Sequence, residues 1–135
     1  MISIQERLPS VGEFQQLRES TDWSTLSDEV VSKALQSTLF SVCAVQDERV
    51  IGMGRIVGDG AVYFYIQDVI VLPEFQGAGV GRNIMLSLET WLLKSAPSGA
   101  FIGLMAAEGA ADFYTQFDYA RRADSRPGMF KILRK

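Results

Sequence analysis

Histidine is absent from the 135-residue chain. That absence removes Ser-His-Asp and Cys-His nucleophilic catalysis and most zinc sites, which depend on imidazole. Any general base must then be a carboxylate, a tyrosine, a backbone group or water. Cysteine occurs once, at Cys43, so no intramolecular disulfide can form. No apolar run approaches the ~20 residues of a membrane span. The first residues, Met1 to Arg7, carry no signal-peptide core. The expectation is a cytoplasmic protein. No set of carboxylates has metal-ligand spacing, so no metal is expected. A basic excess is missing too: the formal net charge is −3, which argues against nonspecific nucleic-acid binding. Neither nucleic acid nor a membrane is expected as a partner.

The length suits one domain, residues 1–135, with one proper core. Its charge is unevenly placed. Residues 120–135 hold six of the 13 basic residues and one of the 16 acidic ones, Asp124. The rest of the chain is therefore strongly acidic. The basic end reads either as a solvated surface strand or as a rim that attracts an anionic ligand.

The most informative stretch lies mid-chain. Ile66-Gln67-Asp68-Val69-Ile70-Val71-Leu72 is an apolar, β-branched run that ends at Pro73. Gly77, Gly79 and Gly81 follow, then Arg82 and a helical apolar pattern of Ile84, Met85, Leu88, Trp91 and Leu92. Strand, glycine-rich turn and helix together make an anion cradle. A helix start offers unbonded N–H groups and the positive end of the helix dipole. Glycines let a phosphate approach that backbone without obstruction by Cβ atoms. A P-loop is excluded because no Lys-Ser or Lys-Thr follows the glycines. The dinucleotide fingerprint fits poorly, since Arg82 stands where its third glycine belongs.

In chain order, residues 2–7 read as a short first strand. Ser10 with Glu13 forms a capping box for a helix whose apolar face is Val11, Phe14 and Leu17. A loop around Trp23 leads to a second helix from about Ser27 to Ser37, with Val30, Val31, Ala34 and Leu35 as its buried stripe. Strands follow at Leu39 to Gln46, Val50 to Val57 and Ala61 to Leu72. Gly52 and Gly54 mark a bulge or a close backbone approach, and Gly58-Asp59-Gly60 a hairpin turn. A helix from about Gly79 to Lys94 comes next. Phe101 to Ala106 reads as a short parallel strand buried on both faces. A helix from Gly109 carries Ala110, Phe113, Tyr114 and Phe117 on one side. Strands at Tyr119 to Arg122 and Met129 to Leu133 close the chain.

Gln76-Gly77-Ala78-Gly79-Val80-Gly81 satisfies the acyl-CoA loop pattern Gln/Arg-x-x-Gly-x-Gly/Ala, and Phe113-Tyr114 with Phe117-Asp118-Tyr119 is similar to a second family motif, Phe-Tyr-x-x-x-Gly-Phe. With the matching element order, the chain resembles the GCN5-related N-acetyltransferase (GNAT) superfamily over nearly its whole length. The resemblance implies an α/β (α+β) fold. Its mixed, mostly antiparallel sheet would have six to seven strands flanked by about four helices. It also implies transfer of an acetyl group from acetyl-CoA to a primary amine, small-molecule or peptide, by direct attack. Dimers are frequent in that superfamily, so a homodimer is an open expectation.

Residue by residue, the resemblance gives the pyrophosphate to backbone N–H groups of the Gln76–Arg82 loop, namely Gln76, Gly77, Ala78, Gly79, Val80, Gly81 and Arg82. Val69, Ile70 and Val71 would line the acyl-pantetheine arm, and one of their N–H groups would polarise the thioester carbonyl. Phe113 would sit beside the cofactor. Tyr114 would protonate the leaving thiolate, against the plainer role of a packed aromatic. Two positions depart from the family pattern: Asp118 replaces a glycine, and Ala107 stands where many members have asparagine.

The base is open between two readings of Asp68. It shares a face with Ile66 and Ile70 and would either accept the ammonium proton or pair with Arg55. Trp23 and Tyr65 are the acceptor-site candidates, each with a packing role as its alternative. A non-catalytic acyl-CoA-binding or sensing module, and more distantly a nucleotide-binding regulator, are the rival functions.

Overall fold

The structure, a computed structural model, describes all 135 residues. Two compact units divide the chain, Met1–Leu104 and Met105–Lys135. The first is built on one mixed sheet of five strands in the order β1 (Ser3–Gln5), β2 (Phe40–Gln46), β3 (Arg49–Gly58), β4 (Tyr63–Val71) and β5 (Phe101–Gly103). Neighbours are antiparallel except β4 and β5, which run parallel.

The helices start where local chemistry tells them to. Ser10 caps α1 (Val11–Glu19): its hydroxyl accepts from Glu13 N–H at 3.1 Å, and the Glu13 carboxylate accepts from Ser10 N–H at 2.8 Å. This is the full capping box. Ser27 caps α2 (Asp28–Gln36) through Val30 N–H. On α2 only Val31 and Leu35 are buried, and Val30 is exposed. Ala34 is half-buried, so the expected stripe fails at Val30: α2 packs mainly on α1, and a nine-residue helix buries little more than one row of side chains.

The long helix α3 (Val80–Ser95) lies against the sheet and buries Ile84, Met85, Leu88 and Leu92. Trp91 stacks on Phe40 of β2, with ring centroids 5.2 Å apart and planes 8° from parallel. Gly54 explains how closely the helix sits. A Cβ there would lie 2.7 Å from Ile84 Cγ2 and 3.0 Å from Leu88 Cδ1. Gly54→Ala is therefore expected to destabilise the protein by about 1–3 kcal/mol, as overpacking does, read from the midpoint of urea unfolding.

A β-bulge shapes the strand that matters most. Met53 pairs with Ile70 and Arg55 with Gln67, so Asp68 and Val69 together oppose Gly54. Asp68 takes φ +54°, the left-handed conformation that such bulges place at their first residue. Sequence reading put the irregularity in β3, where an extra residue is in fact present near Ile51 opposite β2. The second bulge, in β4, left no periodic trace.

β4 pairs with β5 only through Tyr63, Phe64 and Tyr65. The bulge then bends β4, and no β5 pairing continues beyond Tyr65. From that point the two strands part. β5 is shorter than expected and is not buried on both faces: Phe101 is 47% exposed and the strand is the last in its sheet.

In the second unit, α4 (Ala111–Thr115) carries an aromatic cluster. Phe113 packs edge-on against Tyr114 at 5.0 Å and Phe117 at 5.5 Å, and Tyr114 meets Tyr119 at 6.4 Å. Asp118 has φ +68°, the left-handed backbone expected where the family carries glycine. The two closing strands do not form. Residues 120–135 contain no strand and are exposed throughout, so the sheet has five strands, not six or seven. A strand exists only when paired with another strand, and neither segment joins the sheet.

Candidate active site

The loop after β4 begins with a single 3-10 turn, Pro73–Phe75. Gln76 then folds back, and its side-chain amide donates to Val71 O at 2.9 Å. That bond ties the loop to the end of β4. Gly77 and Gly79 follow with φ of +83° and +84°, and nothing lies within 4 Å of where a Cβ would stand on either. Gly79 is the N-cap of α3, without a side-chain cap, and its carbonyl accepts Asn83 N–H at 3.0 Å to close the first turn. The first-turn N–H groups of a helix have no intrahelical acceptor. The loop thus presents backbone donors and a positive dipole end to open space.

Val69, Ile70 and Val71 lie on β4 beyond its last pairing with β5. Ile70 is buried and pairs with β3, while Val69 and Val71 are half-buried. The edge of β4 on the β5 side is thereby left without a strand neighbour along these residues.

Asp68 is buried between two guanidinium groups. Arg55 Nε donates to Oδ2 at 2.6 Å, and Arg18 Nη1 lies 3.5 Å from Oδ1. Arg55 also donates to Thr38 Oγ1 at 3.0 Å, and Arg18 to Ser24 O at 2.8 Å. Arg18 Nε is buried without a hydrogen-bond partner. Sequence reading anticipated the Arg55 pairing but missed Arg18. The signal was available: Arg18 follows Phe14 by four residues on α1, so it lies over the buried stripe.

Arg18 reaches a further candidate. Its guanidinium sits 5.3 Å from the Trp23 ring centroid and 5.7 Å from that of Phe14. Trp23 is partly exposed in the loop between α1 and α2. Gln15 fastens that loop by donating to Leu26 O at 2.8 Å and Asp28 Oδ1 at 3.1 Å. Arg18, Trp23, Glu19 and Asp28 help line a cavity of about 420 Å³. Tyr65 does not line it, so the two acceptor-site candidates are not brought together there.

Burial raises the Tyr65 hydroxyl above the usual tyrosine range. The same desolvation raises that of Tyr114. Cys43 is fully buried, and its thiol is pushed up to about 11 by burial. It is a poor nucleophile at neutral pH.

A sheet that parts at β4, followed by a glycine cradle opening a long helix, defines an α+β fold of the acyltransferase kind. The chain belongs to the GNAT acetyltransferase family: the model of the acetyltransferase (GNAT) domain matches residues 12–129. An uncharacterised N-acetyltransferase of Prochlorococcus marinus is 32% identical over 108 residues, 76% of this chain and 58% of that one. The chain thus spans little more than half of that relative. A Staphylococcus aureus structure described as a probable acetyltransferase is 28% identical with a TM-score of 0.92, covering 98% of this chain and all of the other. A Brucella melitensis GNAT acetyltransferase, solved with acetyl-CoA, shares the fold at 22% identity and a TM-score of 0.64, over 87% of this chain and 81% of that one. Acetyl-CoA as co-substrate is general to the family. No helix of the chain is long and apolar enough to cross a membrane, and no group of three or more metal-ligating side chains occurs.

Proposed function

We propose that the protein transfers an acetyl group from acetyl-CoA directly to a primary amine. The observation that carries this reading is the open cradle at Gly77 and Gly79, placed at the end of a strand whose edge has just parted from its neighbour. Acetyl-CoA supplies the activated acyl group. The first-turn N–H groups of the Gln76–Arg82 loop hold its pyrophosphate, and Gln76 keeps that loop against β4. The Val69–Val71 edge takes the pantetheine arm, and one N–H there polarises the carbonyl. Holding both reactants in line supplies much of the rate.

Tyr114 serves as the acid that protonates the departing sulfur. Its motif and its desolvated setting among Phe113 and Tyr119 support this role. Because burial raises its pKa, it keeps its proton throughout the neutral range. Asp68 acts as a positioning residue. Both of its carboxylate oxygens are engaged by guanidinium groups, so the amine proton leaves through water. Asp68 instead holds Arg18 beneath Trp23 and fixes the bulge. The acceptor amine enters the cavity beside Trp23, where Glu19 and Asp28 suit a cationic group.

The test is consumption of acetyl-CoA against a panel of amines. Free thiol released only when an acceptor is present supports an enzyme, whereas binding without turnover supports a sensing module. With an acceptor in hand, Tyr114→Phe is expected to lower kcat roughly 100-fold, within the range of general acid catalysis. An unchanged kcat removes the acid role from Tyr114.

A further inference from the structure

The charge cluster around Asp68 is one negative charge short. Arg18 and Arg55 share that single carboxylate. Buried charges are ordinarily paired, because an isolated one is costly away from water. Asp68 belongs mainly to Arg55: its Oδ2 accepts from Nε at 2.6 Å, and Arg55 also donates to Thr38 Oγ1 and Ala34 O. Arg18 is held more loosely. Its Nη1 stands 3.5 Å from Asp68 Oδ1, an ion-pair distance rather than that of a hydrogen bond, and its Nε is buried with no partner. Its Nη2 donates to Ser24 O at 2.8 Å. The same guanidinium, set against the Trp23 ring, lines the cavity of about 420 Å³ beside it. A preorganised, forked donor with an uncompensated charge, lining a cavity of small-ligand size, is an anion anchor.

Resting on the reading that this cavity receives the acceptor amine, we propose that the acceptor is a small amino acid whose carboxylate is seated on Arg18. A carboxylate brings the one negative charge that the cluster lacks, and its two oxygens match the guanidinium fork. Glu19 and Asp28 line the same cavity without pairing with Arg18, and they suit the ammonium form of the amine. Both signs within one cavity select a zwitterion over a plain amine, which would leave the Arg18 charge uncompensated. They also select against a phosphate, whose second negative charge exceeds the one positive charge on offer and meets two carboxylates instead. The anchor lies close to the acyl site of that reading: Arg18 contacts Asp68, and Asp68 immediately precedes Val69 on the β4 edge that has parted from β5. Arg18 thus holds one end of the acceptor and leaves the amine end to reach the thioester.

The experiment is a panel of paired acceptors on the full chain: L-amino acids and ω-amino acids of increasing length, each beside its carboxamide, which keeps the amine and loses the negative charge. Two readouts are taken, thiol release from acetyl-CoA and the melting temperature with the acid or the amide alone. The expected result is an acid that exceeds its amide roughly 10–100-fold in kcat/KM, the range of a hydrogen bond to a charged group, and that raises the melting temperature where its amide does not. Arg18→Gln is expected to bring that ratio to about 1 or below and to abolish the thermal shift. The variant leaves Asp68 and Arg55 as a one-to-one pair, so it should fold. Arg18→Lys keeps the charge without the fork and should recover part of the preference. An acid preference that survives Arg18→Gln overturns the proposal. Thiol release with amines but without preference for the acid overturns it while acetyl transfer stands. Stabilisation by acids that Arg18→Gln abolishes, without any thiol release, upholds the carboxylate anchor and removes acetyl transfer. Silence in both readouts overturns the proposal. If Arg18→Gln fails to fold, the acid–amide comparison on the unaltered protein and on Arg18→Lys decides.

Discussion

Asp68→Asn is expected to lower folding stability by about 3 kcal/mol or more. The substitution keeps the side chain's size and its tolerance for a left-handed backbone, so it removes charge and little else. What remains is two largely buried guanidinium groups, their side chains 14% and 11% exposed, facing each other across a neutral amide. Removing one partner of a buried ion pair costs about 3–5 kcal/mol, because the other charge stays buried without compensation. Arg18 is the worse placed of the two: its Nε is already buried without a partner. Asp68→Ala should cost about 1 kcal/mol more, since alanine is strained at φ +54°. The measurement is urea unfolding, with a fall in midpoint at constant slope, or a melting temperature lower by roughly 10 °C. Arg18→Met in the Asp68→Asn background should recover part of the loss, because the two changes share one network. A loss well under 1 kcal/mol for Asp68→Asn would mean that water reaches the cluster and that the charges were never interdependent.

The same residue joins the fold to the cavity beside Trp23. Asp68 occupies the bulge that bends β4, holds Arg55 where it donates to Ala34 O of α2 and to Thr38 just beyond that helix, and orients Arg18 under Trp23. A residue held in a sparsely populated backbone region persists only where its surroundings demand it. Here the demand comes from two arginines and a strand that must part from its neighbour.

Much of this was legible in the residues. The Ser10–Glu13 capping box, the turn at Asp59 and the strand–glycine loop–helix unit are local, and their signals lie within a few residues of one another. Asp59 illustrates why: its carboxylate accepts N–H groups from Ala61, Val62 and Tyr63, all nearby in sequence, and these bonds hold its pKa below the usual aspartate range. The β4 bulge was not legible, because an extra residue shows only in the pairing with β3, and alternation along one strand is blind to it. Arg18 was hidden for a related reason: its partners, Asp68 and Trp23, come together only in the fold. The closing strands failed for the opposite reason. Tyr119 to Arg122 and Met129 to Leu133 have the right composition, but composition does not supply a neighbouring edge. The catalytic assignments of Tyr114 and of the loop rest on motif and local geometry, and the kinetic tests decide them.

Gly79→Asp is expected to weaken acetyl-CoA binding roughly 100-fold while leaving the fold intact. Aspartate tolerates the left-handed conformation that Gly79 adopts. Its charge at the start of α3 also favours the helix by about 0.3–1 kcal/mol. Stability should therefore stay within about 1 kcal/mol of the original, so any loss of binding is not a loss of structure. The carboxylate stands where the open cradle would receive a pyrophosphate. Two unit charges at about 4 Å repel by about 1 kcal/mol in bulk water and about 4 kcal/mol near a protein surface. An exposed loop lies between these limits, and about 2.7 kcal/mol corresponds to the 100-fold loss. Gly79→Asn is the control: it adds nearly the same volume without the charge, and it isolates the steric part. Titration calorimetry with acetyl-CoA reads the affinity of each variant. The difference between Asp and Asn should shrink as salt is raised, because the repulsion is screened while the steric part is not. Equal affinities for the two variants at low salt would place the anion away from this helix start, and the cradle would lose its assignment.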